Sequence, residues 1–361
     1  MFFSKKEYKT LNLIKINKRS LLENFFFFQK QNPQAKICPV LKSNAYGHGL
    51  KLIGKFVDQE IKPEFICVDS LYEAYELEKI NIKTPILILG YTFPENFKYK
   101  KIDFRIPVFD PETLKILNKY QPGIKVHIKA DTGMNRLGVK EKEIGYFIDS
   151  LLHCCNVKVE GIFSHLADAD NKDESFSRQQ IIVFKRIIKK FENAGFKFKY
   201  KHVCATGGSL KFKDPEFNLI RLGLGFYQTP QPALKLVSHI VDIKEIEKNE
   251  TVGYSCTFTA KKRIKIAVLP IGYYDGVDRR LSNKGGVSVG SKLCPVIGRV
   301  CMNITMVDIS NAKNAKVGDE VIVYDNNLKS PNNIVNTAKI IDSTPYEVLI
   351  NLSETTRRIL V

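Results

Sequence analysis

A lysine closes an apolar run in "PVLKSNAYGHG", residues 39–49: Lys42 follows Ile37–Leu41 directly, with a tyrosine, a histidine and two glycines after it. Strands usually stop in solvated turn residues, so an amine at a strand end either snorkels into water or is a nucleophile held rigidly in place. Such an amine attacks carbonyl carbon only when part of it is neutral, which a low-dielectric, cation-lined pocket favours. Other polar residues recur just past later apolar runs: Asp131 with Arg136, His165, Thr206 with Gly207 and Gly208, and Arg221 with Gly223. The glycines of "ATGGS" and "RLGLG" let backbone N–H groups approach an anion, and Thr206 or Ser209 adds a hydroxyl donor. Glycines in such turns also serve backbone needs alone, and a strand-end histidine taken by itself is more often structural.

The elements that must position these residues are legible as a rhythm. From residue 10 to about 228, eight short β-rich runs alternate with helical segments: "KICPVL", "FICV", "PILILG", "IPVF", "KVHIKA", "VEGIFSH", "KHVCA" and "NLIRLG". Their nearly continuous apolar character is that of a parallel sheet covered on both faces. Between them, "SFSRQQIIVFKRIIKKFENAG" carries Ile181, Phe184, Ile188 and Phe191 on one helical face with Gly195 as a stop. Asp69, Asp110 and Asp173 stand near helix starts, where a carboxylate caps free backbone N–H groups. Eight such units predict a (β/α)8 TIM-like barrel over residues 10–235, an α/β fold whose chemistry sits at the carboxyl ends of its strands. The phosphate pocket of such barrels lies after strands seven and eight, where the two glycine-bearing loops fall. A phosphate site facing a strand-end lysine points to pyridoxal 5'-phosphate. After the break "TPQPALK", short strands and glycine- or asparagine-bearing turns predict a mostly β domain over 236–361, with a helix near 332–341.

Bulk properties limit the alternatives. A chain of 361 residues with 44% apolar content suits two domains or a large barrel with an appendage. The net charge of +18 is spread over scattered lysines and not gathered into a stripe, so no nucleic-acid groove is expected. The eight cysteines form no CxxC pair, suiting neither a zinc site nor a disulfide framework, and no metal is expected. Lysines interrupt the apolar residues of "MFFSKKEYKTLNLIK" and no stretch is long enough to span a bilayer, so a cytoplasmic location without membrane attachment is expected.

The blocks "VLKSNAYGHG", "KADTGMNRLG", "EGIFSHLADAD", "LIRLGLGFY", "VGYSCTFTA", "LPIGYYDGVDRRLSNKG", "GRVCMNITMVDI" and "TPYEVL" occur in this order, and together resemble the alanine racemases. The resemblance implies a pyridoxal-phosphate enzyme that interconverts L- and D-alanine, supplying D-alanine for peptidoglycan, and a homodimer with shared active sites. Lys42 looks like the Schiff-base lysine and the base on one face. Tyr254, delivered by the second domain of the partner subunit, looks like the base on the other. Tyr46, Thr206, Gly223, Leu224 and Tyr346 match the phosphate-binding set. Arg221 resembles the arginine facing the pyridine nitrogen, and His165 the imidazole near the ring. Arg136 is similar to the arginine near the substrate carboxylate, and Lys129 to a lysine that some members carry as a carbamate. Tyr273 resembles an entrance tyrosine, and Met302 a residue whose backbone meets the substrate carboxylate, although an ordinary core methionine would also suit that position. Two departures stand out: Ala205-Thr206 where Asn-Ser is usual, and Asn303 where an aspartate is usual. These leave open a racemase of serine or larger amino acids. A related barrel decarboxylase would place an acid where Arg221 stands.

Overall fold

The computed structural model describes residues 8–361; the N-terminal "MFFSKKE", part of the stretch read for a leader, lies outside the described residues. The chain divides into two compact units. One comprises Leu22–Lys42 with Ile53–Phe226, the other Ser43–Leu52 with Tyr227–Val361 and the described residues up to Leu21.

The barrel of the first unit has eight parallel strands, β1 (Lys36–Pro39), β2 (Ile66–Val68), β3 (Ile86–Ile88), β4 (Ile106–Val108), β5 (Lys125–Asp131), β6 (Lys158–Phe163), β7 (Tyr200–His202) and β8 (Leu219–Leu222), and the two-residue strand Val139–Lys140 pairs parallel with the end of β5. Each barrel strand falls on one of the eight apolar runs. Parallel ladders join β2 to β3, β4 to β5, β5 to β6 and β6 to β7. Single bridges Val40–Cys67 and Leu87–Arg105 link the remaining neighbours. The ring closes through the β1–β8 ladder and through Arg221 N–H to Cys204 O, 3.1 Å, beside β7. Most strand residues are buried, as a sheet lined inside and covered outside by helices requires. The helix Ser175–Asn193 turns Phe184, Ile188 and Phe191 into the core, and Gly195 follows at φ +92°. Asp110 caps Pro111–Tyr120 by accepting from Thr113 N. At Leu71–Glu78 the cap is Ser70, not Asp69, whose own N–H donates to Glu73. Asp173 accepts from Ser175 N one residue ahead of the cap position.

The second unit is mostly β. A six-stranded sheet runs in the order Lys292–Pro295, Gly286–Val289, Glu320–Tyr324, Leu234–His239, Leu13–Ile16, Arg357–Leu360. Its fifth strand, Leu13–Ile16, lies within the range read from sequence as barrel; it pairs antiparallel with Leu234–Val237 and parallel with Arg357–Leu360. A three-stranded sheet of Asp242–Ile246, Ile264–Leu269 and Thr305–Asp308 packs Ile264, Ile266 and Met306 with Val252 and Ile297. Two short helices, Ile334–Ile340 and Pro345–Ile350, are capped by Asn333 and Thr344.

Candidate active site

Within the barrel unit, Lys129 and His165 each feel the positive charges of Lys42, Arg136 and Arg221. Arg221, on β8, is buried. Its Nη1 donates to His202 Nδ1 at 2.7 Å, and its Nη2 to Ser164 O at 2.7 Å, with His165 Nδ1 at 3.1 Å. Burial lowers its pKa to about 10, which leaves the guanidinium protonated at neutral pH. Burial, then the positive charges of Arg221, Arg136, Lys42 and Lys129, drives His165 down to about 3, so its imidazole is neutral. Lys129 extends from β5 to donate to Leu89 O at 3.1 Å. Burial, then Arg136 and Arg221, brings its pKa to about 8, and Asp69 opposes that shift. Arg136 sits on a loop shaped by Asp131, whose Oδ1 accepts from both Gly133 N and Asn135 N at 3.0 Å. Gly138, at φ +134°, closes that loop where a Cβ would lie 2.5 Å from Asp131 N. Four cationic side chains with Asp69 as the acid felt by Lys129 are poorly compensated in a partly buried site. Such a cluster suits a ligand that carries carboxylate and phosphate charge.

The two glycine-bearing loops have packing duties. A Cβ on Gly207 would come within 2.0 Å of Asp170 Oδ1, and one on Gly208 within 3.1 Å of Leu166. Thr206 Oγ1 accepts from Gly225 N at 3.0 Å, tying the loop after β7 to the turn Gly223-Leu224-Gly225 after β8. Ser209, considered as a free hydroxyl donor, is fully buried and donates to Thr206 O at 2.7 Å. Ala205 stands at the N-cap of Thr206–Lys211 without a side-chain cap, so where asparagine is usual no side chain competes for the first N–H groups.

In the second unit, Ser43, Asn44, Ala45 and Tyr46 all lie near φ +50°, a left-handed turn made without glycine. It is pinned from several sides. Asn44 Oδ1 accepts from Leu50 N at 2.7 Å, and His48 Nδ1 donates to Tyr46 O at 2.8 Å. Arg358 Nε donates to Gly47 O at 2.8 Å. The turn places Tyr46 with its ring centroid 5.2 Å from Tyr227 and 6.0 Å from Tyr346. Tyr254 projects from a short turn after Gly253 and is 69% exposed. The turn Tyr273–Asp275 is laced to the loop at 301–303 by Tyr273 N to Cys301 O, 3.0 Å, and Tyr274 N to Met302 O, 2.9 Å. Met302 is 56% exposed, which removes the core-methionine reading. Asn303 Nδ2 donates to Asp275 Oδ2 at 3.3 Å, an acceptor already bound to Gly272 N, so the amide that replaces the usual aspartate has a partner.

Comparison with known proteins decides the family. The N-terminal domain of alanine racemase matches residues 16–230 and the C-terminal domain matches 233–360. The chain belongs to the alanine racemase family. It is 32% identical to alanine racemase 2 of Caldanaerobacter subterraneus subsp. tengcongensis, over 96% of this chain and 94% of that protein. It is 34% identical to the alanine racemase of Methanococcus maripaludis, over 91% and 92%. The alanine racemase of Clostridium difficile 630 superposes with a TM-score of 0.92 at 30% identity, covering 98% of this chain and 97% of that one. The Bacillus anthracis alanine racemase with bound L-Ala-P superposes at 0.90 and 27% identity, over 98% and 96%.

Alanine racemases are pyridoxal-phosphate-dependent isomerases, and the residues present fit that cofactor. Lys42 carries an amine, Arg221 is a donor-only group, and the surrounding cations would offset the charge of its acidic oxygens. Three features escaped the sequence reading: the left-handed turn with its Asn44 and His48 anchors, the Asn303–Asp275 contact, and the buried pair His127 and His202. Only the last had a signal, since "KVHIK" and "YKHVC" each put a histidine inside an apolar barrel strand. Among the described residues every cysteine is free, and no helix is long and apolar enough to cross a membrane.

Proposed function

We propose that this racemase interconverts L- and D-alanine with two bases, Lys42 and the Tyr254 of a partner subunit, on opposite faces of the substrate. Bound pyridoxal phosphate supplies an electron-withdrawing ring that acidifies the Cα–H of the amino acid. Lys42 takes or returns the proton at Cα on one face, and the Tyr254 phenol does so on the other; inversion needs a base on each. Arg136 pairs with the substrate carboxylate, and Lys129 supports it as a carbamate. Because Lys129 is brought to about 8, roughly a tenth of it is a neutral amine near pH 7, the form that combines with carbon dioxide. Arg221, a donor that keeps its proton, would face the ring nitrogen of the bound cofactor and leave that nitrogen unprotonated. A decarboxylase with an acid in that place would favour the opposite. Tyr46, Thr206, Gly223, Leu224 and Tyr346 would hold the phosphate, His165 would flank the ring, and Met302 and Tyr273 would border the substrate entrance.

The observation that carries this reading is the coupled set Lys42, Lys129, Arg136 and Arg221 beside a neutral His165. The exposure of Tyr254 supports delivery to a second chain, by way of the β-rich region 236–361. The same reading takes the enzyme as a cytoplasmic homodimer that makes D-alanine for peptidoglycan. The test is to follow protein, pyridoxal phosphate and L-alanine in deuterated water. D-Alanine should form with deuterium at Cα, and Tyr254→Phe should slow exchange from one enantiomer selectively. Equal slowing of both enantiomers, or none, would remove Tyr254 from its role.

A further inference from the structure

Behind Arg221 the barrel interior contains a chain of polar groups that the proposed reaction does not use. His202 on β7 and His127 on β5 are wholly buried. Arg221 Nη1 lies 2.7 Å from His202 Nδ1, and His202 Nε2 lies 2.8 Å from His127 Nδ1. His127 Nε2 makes no hydrogen bond and faces Glu160 Oε2, on β6, at 3.7 Å. Arg105 Nε at 3.1 Å and Lys125 Nζ at 3.6 Å hold that carboxylate from its other sides. The space is built for these rings. Phe163 stacks on His202 at 4.9 Å, Tyr200 stacks on His127 at 5.8 Å, and a Cβ on Gly161 would lie 2.6 Å from His127 Nδ1.

Donor and acceptor chemistry fixes the direction of the whole chain. Guanidinium offers donors only, so His202 Nδ1 must accept. Burial lowers the pKa of both histidines, so each ring is neutral and carries one proton. That proton is on Nε2 of His202, which therefore donates to His127 Nδ1. The proton of His127 is then on its Nε2, aimed at Glu160.

We propose that Glu160, through His127 and His202, is a positioning residue that fixes the orientation of Arg221 and lends it a remote counter-charge, so that the arginine donates to the cofactor ring without swinging away. The inference rests on the reading of the site given above. The first two links, Arg221 to His202 and His202 to His127, are buried hydrogen bonds whose loss leaves a buried polar atom unmatched, and the third, His127 to Glu160, is a charge contact.

The test joins a structural and a functional measurement. Protein labelled with nitrogen-15 in its six histidines, examined before and after reconstitution with pyridoxal phosphate, should show His127 and His202 as neutral Nε2–H tautomers between pH 6 and 8; His127→Gln and His202→Gln assign the signals. An imidazolium or an Nδ1–H form at either position overturns the relay. In reconstituted Glu160→Gln, the visible band of the bound cofactor should shift, and pyruvate released per racemisation should rise about tenfold, the change that about 1.4 kcal/mol, one lost hydrogen bond, produces. Glu160→Asp, which keeps the charge, should restore most of the wild-type value. Wild-type band position and pyruvate ratio in folded Glu160→Gln would overturn the proposal while leaving the racemase reading intact. Failure of the wild-type protein to take up pyridoxal phosphate would overturn both.

Discussion

Gly47→Ala should cost far more stability than a surface glycine substitution normally does. Gly47 lies at φ +78° just after the left-handed turn, and a Cβ there would fall 2.0 Å from Leu349 O, a backbone atom of the helix Pro345–Ile350. The left-handed conformation alone costs an alanine about 1 kcal/mol. Relieving a backbone overlap in a packed region adds about 1–3 kcal/mol. Moving Gly47 also endangers the bond from Arg358 Nε to Gly47 O, a charged donor to a partly buried acceptor worth about 1–3 kcal/mol. The sum, about 3–7 kcal/mol, is a large share of the stability of a typical domain. Gly123 provides the control: its φ is +84° but nothing lies within 4 Å of an added Cβ, so Gly123→Ala should lose only the conformational part, about 1 kcal/mol. Urea unfolding of both variants and the wild type, at fixed protein and cofactor concentration, gives the comparison. If Gly47→Ala lost no more than Gly123→Ala, the steric and hydrogen-bond reasoning about this turn would be wrong.

Other outcomes follow from particular contacts. Asp110→Ala removes the acceptor for Thr113 N and Thr113 Oγ1, and should cost about 1 kcal/mol in unfolding while leaving turnover unchanged. Lys129 has a folded pKa of about 8 against an ordinary 10.5. Between those values the unfolded chain binds more protons, so in buffer free of carbon dioxide, stability measured by urea titration should rise with pH across that window. Added bicarbonate should flatten the dependence by modifying the amine, and should raise activity; a bicarbonate-independent activity with no added mass on Lys129 would count against the carbamate.

The barrel was readable because its eight strands are short, nearly unbroken apolar runs, a pattern that burial on both faces imposes and that few other folds require. The Asp110 cap was readable for the same local reason. Less local features were not. Ser43–Tyr46 contains no glycine, and nothing in its own composition favours a left-handed turn; Asn44, His48 and Arg358 impose it through contacts as distant as 311 positions along the chain. Leu13–Ile16 looks like any half-apolar strand, and its partner Leu234–Val237 is identified only by the sheet that forms. Asp69 and Ser70 are equally plausible caps in sequence, and the choice depends on which oxygen reaches Glu73 N. At the site, the residue types around Lys42 suggested the chemistry, but the neutrality of His165 comes from burial and three-dimensional proximity to four cations.

The central claim is that Lys42 of one subunit works with Tyr254 of the other, and subunit mixing tests it most directly. Lys42→Ala and Tyr254→Phe homodimers, each inactive or nearly so, are dissociated together and reassembled. If the two bases belong to different chains, each heterodimer contains one site with both groups intact and one with neither, so the mixture should recover about a quarter of wild-type turnover. If both bases come from the same chain, every site retains one defect, and no recovery above the sum of the separate variants would contradict the account.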